Sequence, residues 1–420
     1  MAPRVGQSDP APSLLWRSAR SSRPSACTRG SRPGGTAIIQ PLLAGIVAAL
    51  TGFSSSFAIV LGGVVAVGAT DSQAASGLLA VCVLQGLLCI LLSVRYRVPM
   101  TFAWSTPGAA LLAATATLPG GFDRAVGAFL CASALLVITG LWPALGRLVA
   151  RIPRPLANAM LAGILFPLVL APVRAAVEIP ERALPVILLW LILARLLPRW
   201  AAPAAIALAI VLLLVTDGAA LDSAQLLPVP QFVAPVFDIG AMVGIGLPLA
   251  VVTMAGQNIP GIAVLSSFGY EAHSRPGIVL SGAFSGVAAV FGGVPINFAA
   301  LSAALTAGPE ASARPEQRWI ASVSAGGSYL VLGLFAGAAA ALVSSASPLL
   351  IEAVAGLALL GVFVSALQAA VEDVTLHIPA ATTLLVTASG ATIAGIGSAF
   401  WGLVVGLVVL AWLVPRRHRA

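Results

Sequence analysis

Hydrophobic residues in this chain come in long unbroken runs, not in the alternation of a strand or the narrow stripe of an amphipathic helix, and they continue from Ile38 to Val414. Charges, Pro and Gly cut the runs into about fourteen segments, each near the length needed to cross or half-cross a bilayer. They fall at about 38–68, 74–94, 98–117, 123–141, 155–171, 183–197 and 201–216, then 238–257, 276–291, 293–307, 317–342, 348–370, 379–396 and 398–414. Seven segments lie on each side of the polar stretch Asp217–Asp238. An odd number per half turns the second half over, so the pattern predicts an all-α polytopic membrane protein built as a 7+7 inverted repeat.

Two short sequence echoes fit that repeat. V-P-M-T-F-A at Val98–Ala103 returns as V-P-I-N-F-A at Val294–Ala299, 196 residues later, in segments three and ten. T-G-F-S-S-S-F-A-I-V-L from Thr51 aligns with A-G-Q-N-I-P-G-I-A-V-L from Ala255, pairing segments one and eight. Pro99 and Pro295 each remove a donor and restrict the residue before them, so a helix is not expected to run through either place. A short extended segment followed by a half-helix is predicted in each copy, and such backbone is tolerated at membrane depth only inside protein or against a water-filled cavity. Ser105 or Thr106 with Pro107 supplies a helix start, with Ser302 as the equivalent of Thr106 and Asn297 of Thr101.

Composition agrees with a membrane protein: 59% of residues are hydrophobic, 9% are charged, and mean hydropathy is +1.02. The net charge of +8 comes from 22 basic residues, all arginine, against 14 acids. In a soluble protein this would suggest nucleic acid; here it reads as orientation, with no nucleic-acid partner expected. Arginines gather after even-numbered segments (Arg95, Arg97, Arg147, Arg151, Arg154, Arg195, Arg199, Arg275, Arg314, Arg318) and at both termini, whereas the stretches after odd-numbered ones hold only Arg124, Arg174 and Arg182, with Asp71, Asp123, Glu178, Glu181, Asp217, Asp222 and Asp238 on that side. Both termini are therefore expected on the cytoplasmic side. Residues 1–35, Arg-, Ser- and Pro-rich, read as a disordered basic tail, residues 36–414 as one membrane domain, and 415–420 as a short cytoplasmic tail. Cys27, Cys82, Cys89 and Cys131, with three scattered histidines, show no metal-ligand spacing, and no metal or cofactor is expected.

The candidate chemistry is that of an anion site. Two half-helices starting near mid-membrane would turn free N–H groups and positive dipole ends toward one point, which suits a carboxylate. The alternative is that Pro and Gly only kink ordinary spans packed through small residues. Gln257 and Asn258 could bind a substrate carboxylate or join spans to one another; their repeat partners are Phe53 and Ser54. Phe53, Phe57, Trp104 and Phe298 could offer ring faces to an aromatic guest. The expected binding set is Phe53, Ser54, Phe57, Thr101, Trp104, Ser105, Thr106, Gln257, Asn258, Asn297, Phe298 and Ser302. No acid stands in the middle of a segment, so an obvious proton relay is missing. An intramembrane enzyme would need a nucleophile and base or a metal set close together, and a channel a charged ring or filter; neither pattern is present.

The stretches G-F-S-S-S-F-A-I-V-L, T-F-A-W-S-T-P-G-A-A-L-L, R-I-P-R-P-L-A-N-A-M-L-A-G, P-L-A-V-V-T-M-A-G-Q-N-I-P-G-I-A-V-L and V-P-I-N-F-A-A resemble the benzoate/proton symporter family of bacterial inner membranes, over residues 36–414. That family is related in fold to nucleobase/ascorbate transporters and sulfate permeases. The resemblance implies a core (38–141 and 238–342) moving against a gate (155–216 and 348–414) in an elevator-like cycle, with substrate between segments three and ten and a broken part of segment eight. It also implies import of benzoate or a similar aromatic carboxylate with a proton, and a homodimer in membrane lipid. A permease of the same fold for another organic anion or a neutral aromatic compound is the rival. Nucleobase relatives carry acids on segments eight and ten; here Met254–Asn258 and Ala299–Ser302 have none, which avoids repelling an anion but leaves the coupling residue unnamed.

Overall fold

The first half of the chain runs through helices α1 (Thr36–Ala66), α2 (Asp71–Tyr96), α3 (Thr106–Ala113), α4 (Phe122–Leu141), α5 (Arg154–Glu178), α6 (Pro180–Leu196) and α7 (Pro198–Thr216), with the strand β1 (Phe102–Trp104) before α3. The second half holds α8 (Ile239–Ser267), α9 (Ser274–Ala289), β2 (Ile296–Phe298), α10 (Ala300–Ala307), α11 (Trp319–Gly333), α12 (Ala336–Ser345), α13 (Pro348–Ala370), α14 (His377–Ala388) and α15 (Ser398–Leu413). This is a computed structural model, and it describes residues 36–115, 120–142, 152–216, 227–345, 347–393 and 396–413. The expected tails at 1–35 and 415–420 lie outside the described residues.

Among the described residues six helices are long and apolar enough to cross a membrane, and α11 with α12 makes a seventh if that pair, bent by 60°, is one span. The bend sits at Leu334 and Phe335, directly after Gly333, where main-chain bonds shorten to Leu334 N–Val331 O and Phe335 N–Leu332 O. Helix starts follow local chemistry. Thr70 and Gln73 form a reciprocal capping box on α2, and Asp238 Oδ1 accepts from Ala241 N (2.8 Å) at the start of α8.

The eighth helix differs from the sequence expectation: it continues to Ser267, ten residues past the expected end at 257, and it is not broken. Pro248 and Pro260 each follow a wider π turn, Met242–Gly246 and Met254–Asn258, which absorbs the missing proline donor without ending the helix.

Helices meet closely through small residues. Gly86 of α2 and Gly326 of α11 face each other so tightly that a Cβ on either would lie 2.7 or 2.6 Å from the other's carbonyl oxygen. The principal packed pairs are α2 with α11, α4 with α9, α1 with α11, and separately α5 with α13 and α14, and α6 with α7. The extended stretch before α8 is pinned over the first set by Gln231 N–Ser76 Oγ (2.8 Å), Val233 N–Val290 O (2.8 Å) and Val236 N–Asp123 O (3.0 Å).

Candidate functional site

The two sequence breaks meet. β1 and β2 pair antiparallel, with Phe102 opposite Phe298, Ala103 opposite Asn297 and Trp104 opposite Ile296. Ser105 N donates to Pro295 O (2.8 Å) and Ala299 N to Thr101 O (3.0 Å), extending the ladder by one rung at each end. A two-stranded ladder in a membrane has two open edges, and helix side chains cover them. Phe102 N donates to Cys89 Sγ (3.1 Å), Ile296 N to Ser285 Oγ (2.8 Å) and Phe298 N to Asn258 Oδ1 (2.9 Å). Cys89 and Ser285 were not singled out from sequence; the signal available was their position one helix stretch before each proline break.

Each strand leads into a half-helix. Ser105 caps α3 by accepting from Gly108 N (3.1 Å), with Pro107 in the first turn, and its Oγ also pairs with Thr253 Oγ1 (2.8 Å) on α8. In the second copy the helix begins at Ala300, two residues before the position matching Thr106 by the sequence echo. Ala299 caps it without a side-chain bond. Ser302 is therefore not a helix start; it lies buried inside the first turn of α10, its hydroxyl and that of Tyr329 both set against Gly52 of α1. The echo of V-P-x-x-F-A is thus offset by two residues from the structural repeat, a shift that keeps every strand side chain on its own face because strand periodicity is two. At the far end of α10, Arg318 donates from Nη1 to Ala307 O and from Nε to Ser312 O (2.8 Å each). A buried cation there offsets the negative end of a helix whose positive end faces the ladder.

The predicted residues separate into groups. Phe53 stacks on Phe57 (centroids 5.3 Å) and meets Trp104 edge-on (5.6 Å), while Trp104 also contacts Tyr329 (6.2 Å) and donates from its indole to Ser56 Oγ (2.9 Å). Phe298 packs on Phe102 (4.6 Å) beneath this wall. Asn297, with its carboxamide oriented to satisfy both neighbours, donates to Phe298 O (2.7 Å) and accepts from Ser105 N (3.1 Å). Thr101 points away into a fully buried hydroxyl cluster with Thr306 and Ser322 (2.7 Å each). Asn258 is fully buried and committed to β2, its Nδ2 turned to Met254 Sδ (3.2 Å). Ser54, half-buried, donates back to Thr51 O (3.4 Å). Thr106 and Gln257 are half-buried and carry no side-chain hydrogen bond among the described residues. They flank one junction, because Gly256 beside Gln257 packs on Pro107 beside Thr106. No charged side chain lies in β1, β2, α3, α10 or the Met254–Asn258 turn.

A cavity of about 430 Å³ lies further along α1, where Ala58 and Gly62 face Leu168 of α5, Ala340 of α12, and Ile351 and Glu352 of α13. It thus lies between the α5/α13 pair and the helices around the strands.

The sequence profile of the benzoate membrane transport protein family matches residues 36–412. The chain is 38% identical over 381 residues to the inner membrane protein YdcO of Escherichia coli (strain K12), covering 90% of this chain and 97% of that protein. It is 33% identical over 338 residues to the benzoate membrane transport protein of Acinetobacter baylyi (strain ATCC 33305 / BD413 / ADP1), covering 79% and 84% respectively. Among solved structures, the transmembrane domain of the cyanobacterial bicarbonate transporter BicA superposes with a TM-score of 0.58 at 17% identity, covering 89% of this chain and 98% of that one. SLC26A9 superposes with a TM-score of 0.55 at 13% identity, covering 90% of this chain and 65% of that one. The two structural matches speak to fold alone.

Proposed function

The chain belongs to the benzoate membrane transport protein family, and from that premise we propose that it is a secondary active transporter importing benzoate or a similar aromatic carboxylate with a proton. The observation that carries the reading is the antiparallel β1–β2 pair, from whose two ends half-helices α3 and α10 start, beside a ring wall of Phe53, Phe57 and Trp104. Helix N-termini attract the carboxylate, the rings take the aromatic body, and the absence of charged side chains from β1, β2, α3, α10 and the Met254–Asn258 turn leaves an anion unopposed there. Thr106 and Gln257 are the half-buried polar groups at the junction of α3 and α8, and they are assigned the first contacts with the carboxylate.

In this reading the chain crosses the membrane fourteen times in a 7+7 inverted repeat, as a multi-pass protein of the bacterial inner membrane. The strand-bearing core, α1–α4 and α8–α12, slides against a gate of α5–α7 and α13–α15, and the 430 Å³ cavity between Ala58, Leu168 and Ile351 is the approach to the site. A proton accompanies the substrate anion, with no acid in the middle of a segment to mark its carrier, and the transporter works as a homodimer. Another organic anion or a neutral aromatic compound is the second reading, favoured by the uncharged polar pair Thr106 and Gln257 at the junction of α3 and α8.

Uptake by purified protein in proteoliposomes separates them. Labelled benzoate is expected to accumulate when the outside is acidified and to be displaced by ring-substituted benzoates but not by bicarbonate. Accumulation of another anion with no benzoate uptake would overturn the substrate assignment, and accumulation indifferent to the proton gradient would overturn symport.

A further inference from the structure

The strand register leaves one main-chain edge unaccounted for. Because the rungs 105–295 and 101–299 are hydrogen-bonded, the pair Ala103–Asn297 between them is too, and the main-chain groups of Phe102, Trp104, Ile296 and Phe298 point outward. Cys89, Ser285 and Asn258 meet three of those four residues. Trp104, only 2% exposed, has no main-chain hydrogen bond among the described residues.

Opposite it runs a polar stripe on α2. Ser93 Oγ donates to Met100 O (3.1 Å), and one turn back Cys89 serves Phe102. Four helical residues advance about 6 Å and two strand residues about 6.6 Å, so the stripe stays in step with β1. Its next member is Gln85, level with Trp104. Gln85 is fully buried, and neither its Oε1 nor its Nε2 has a partner. An orphaned donor and acceptor on the helix thus face an orphaned N–H and C=O on the strand.

We propose that Gln85 and the Trp104 main chain enclose an internal hydration site, in which one or two waters close the fourth edge of the ladder. The ligand class follows from polarity. A cation would satisfy the two oxygens but meet two N–H groups, whereas water donates and accepts and can serve all four. Gln85 is then a positioning residue: it acts through Trp104, whose ring forms the wall against Phe53 and Tyr329 and whose neighbour Ser105 caps α3. Only the consequence for transport rests on the benzoate reading.

An experimental structure of the wild-type protein in lipid nanodiscs, at a resolution that shows ordered water, is expected to place density within hydrogen-bond distance of both Gln85 and the Trp104 main chain. A dry contact, or a carboxamide bonded directly to another group, overturns the site. In proteoliposomes, Gln85→Leu is expected to raise the apparent KM for benzoate about tenfold with Vmax within about twofold, and to lower the melting temperature. Gln85→Glu, protonated in so apolar a place and so still both donor and acceptor, is expected to return KM to within about threefold of wild type. Gln85→Leu with wild-type KM and an unchanged or higher melting temperature would mark an unpaired core amide and sink the proposal. If the wild type moves no benzoate, the substrate reading fails alone, and water density with the melting temperature still decides the hydration site.

Discussion

At the scale of single residues, the site separates side chains that build the scaffold from those free to meet a guest. In sequence Asn258 reads as a substrate ligand ahead of a tie between spans, but its Oδ1 holds the Phe298 N–H at 2.9 Å and it is fully buried. Removing that acceptor leaves a buried donor unpaired, at a cost of about 1–3 kcal/mol. Asn258→Ala is therefore expected to lower the melting temperature and transport together. Gln257→Ala, one residue away on the same π turn with no bond to lose, is expected to raise the apparent KM while melting stays at the wild-type value. A differential scanning measurement beside uptake kinetics reads both, and the assignment fails if the two variants exchange these signatures.

Among elements, the part most legible in sequence was the pair of breaks, because Pro99 and Pro295 change backbone chemistry in a way a single sequence displays, and Ser105 with Pro107 announces a helix start. The start of α10 was not legible: Ala299 caps it with no side-chain acceptor, so the echo pointed to Ser302, two residues too late. The π turns of α8 were hidden for a related reason, since Pro260 signals an ending unless the preceding turn widens. The edge groups Cys89 and Ser285 read in sequence as small residues of apolar spans and gain meaning only once β1 and β2 are opposed. Close helix approach was likewise invisible until partners were known. Gly326→Ala would set a Cβ 2.6 Å from the Gly86 carbonyl, and since that atom is backbone, α2 and α11 must part. Overpacking of this kind costs about 1–3 kcal/mol. The expected result is a lower melting temperature with reduced Vmax, and Gly327→Ala, where open space surrounds the position, is the control expected to behave as wild type. Equal melting of all three proteins would show that the Gly86–Gly326 contact does not hold the helices.

For the whole molecule, the central claim is that the halves are inverted, and the antiparallel meeting of β1 and β2 is the local geometry such an inversion produces. The arginine distribution makes an independent statement about the same property, because basic loops stay on the cytoplasmic side. Both properties bear on specific loop ends. Arg97 closes α2 in a left-handed conformation with its guanidinium 4.2 Å from the Trp319 ring, which brings the end of the second segment beside the start of the eleventh. Those two positions must share one side of the membrane, and Asp71 at the opposite end of α2 must lie on the other. Single cysteines placed in a Cys27→Ser, Cys131→Ser background report this with a membrane-impermeant maleimide, since native Cys82 and Cys89 are buried whereas Cys131 is only partly so. Asp71→Cys and Glu178→Cys are expected to react in intact cells, whereas Arg95→Cys and Arg314→Cys react only after the inner membrane is permeabilised. The reverse pattern would invert the orientation while keeping the repeat. Labelling of Asp71→Cys and Arg95→Cys from one side would be more damaging, because α2 would then not cross the membrane and the count of seven segments per half would fall with it.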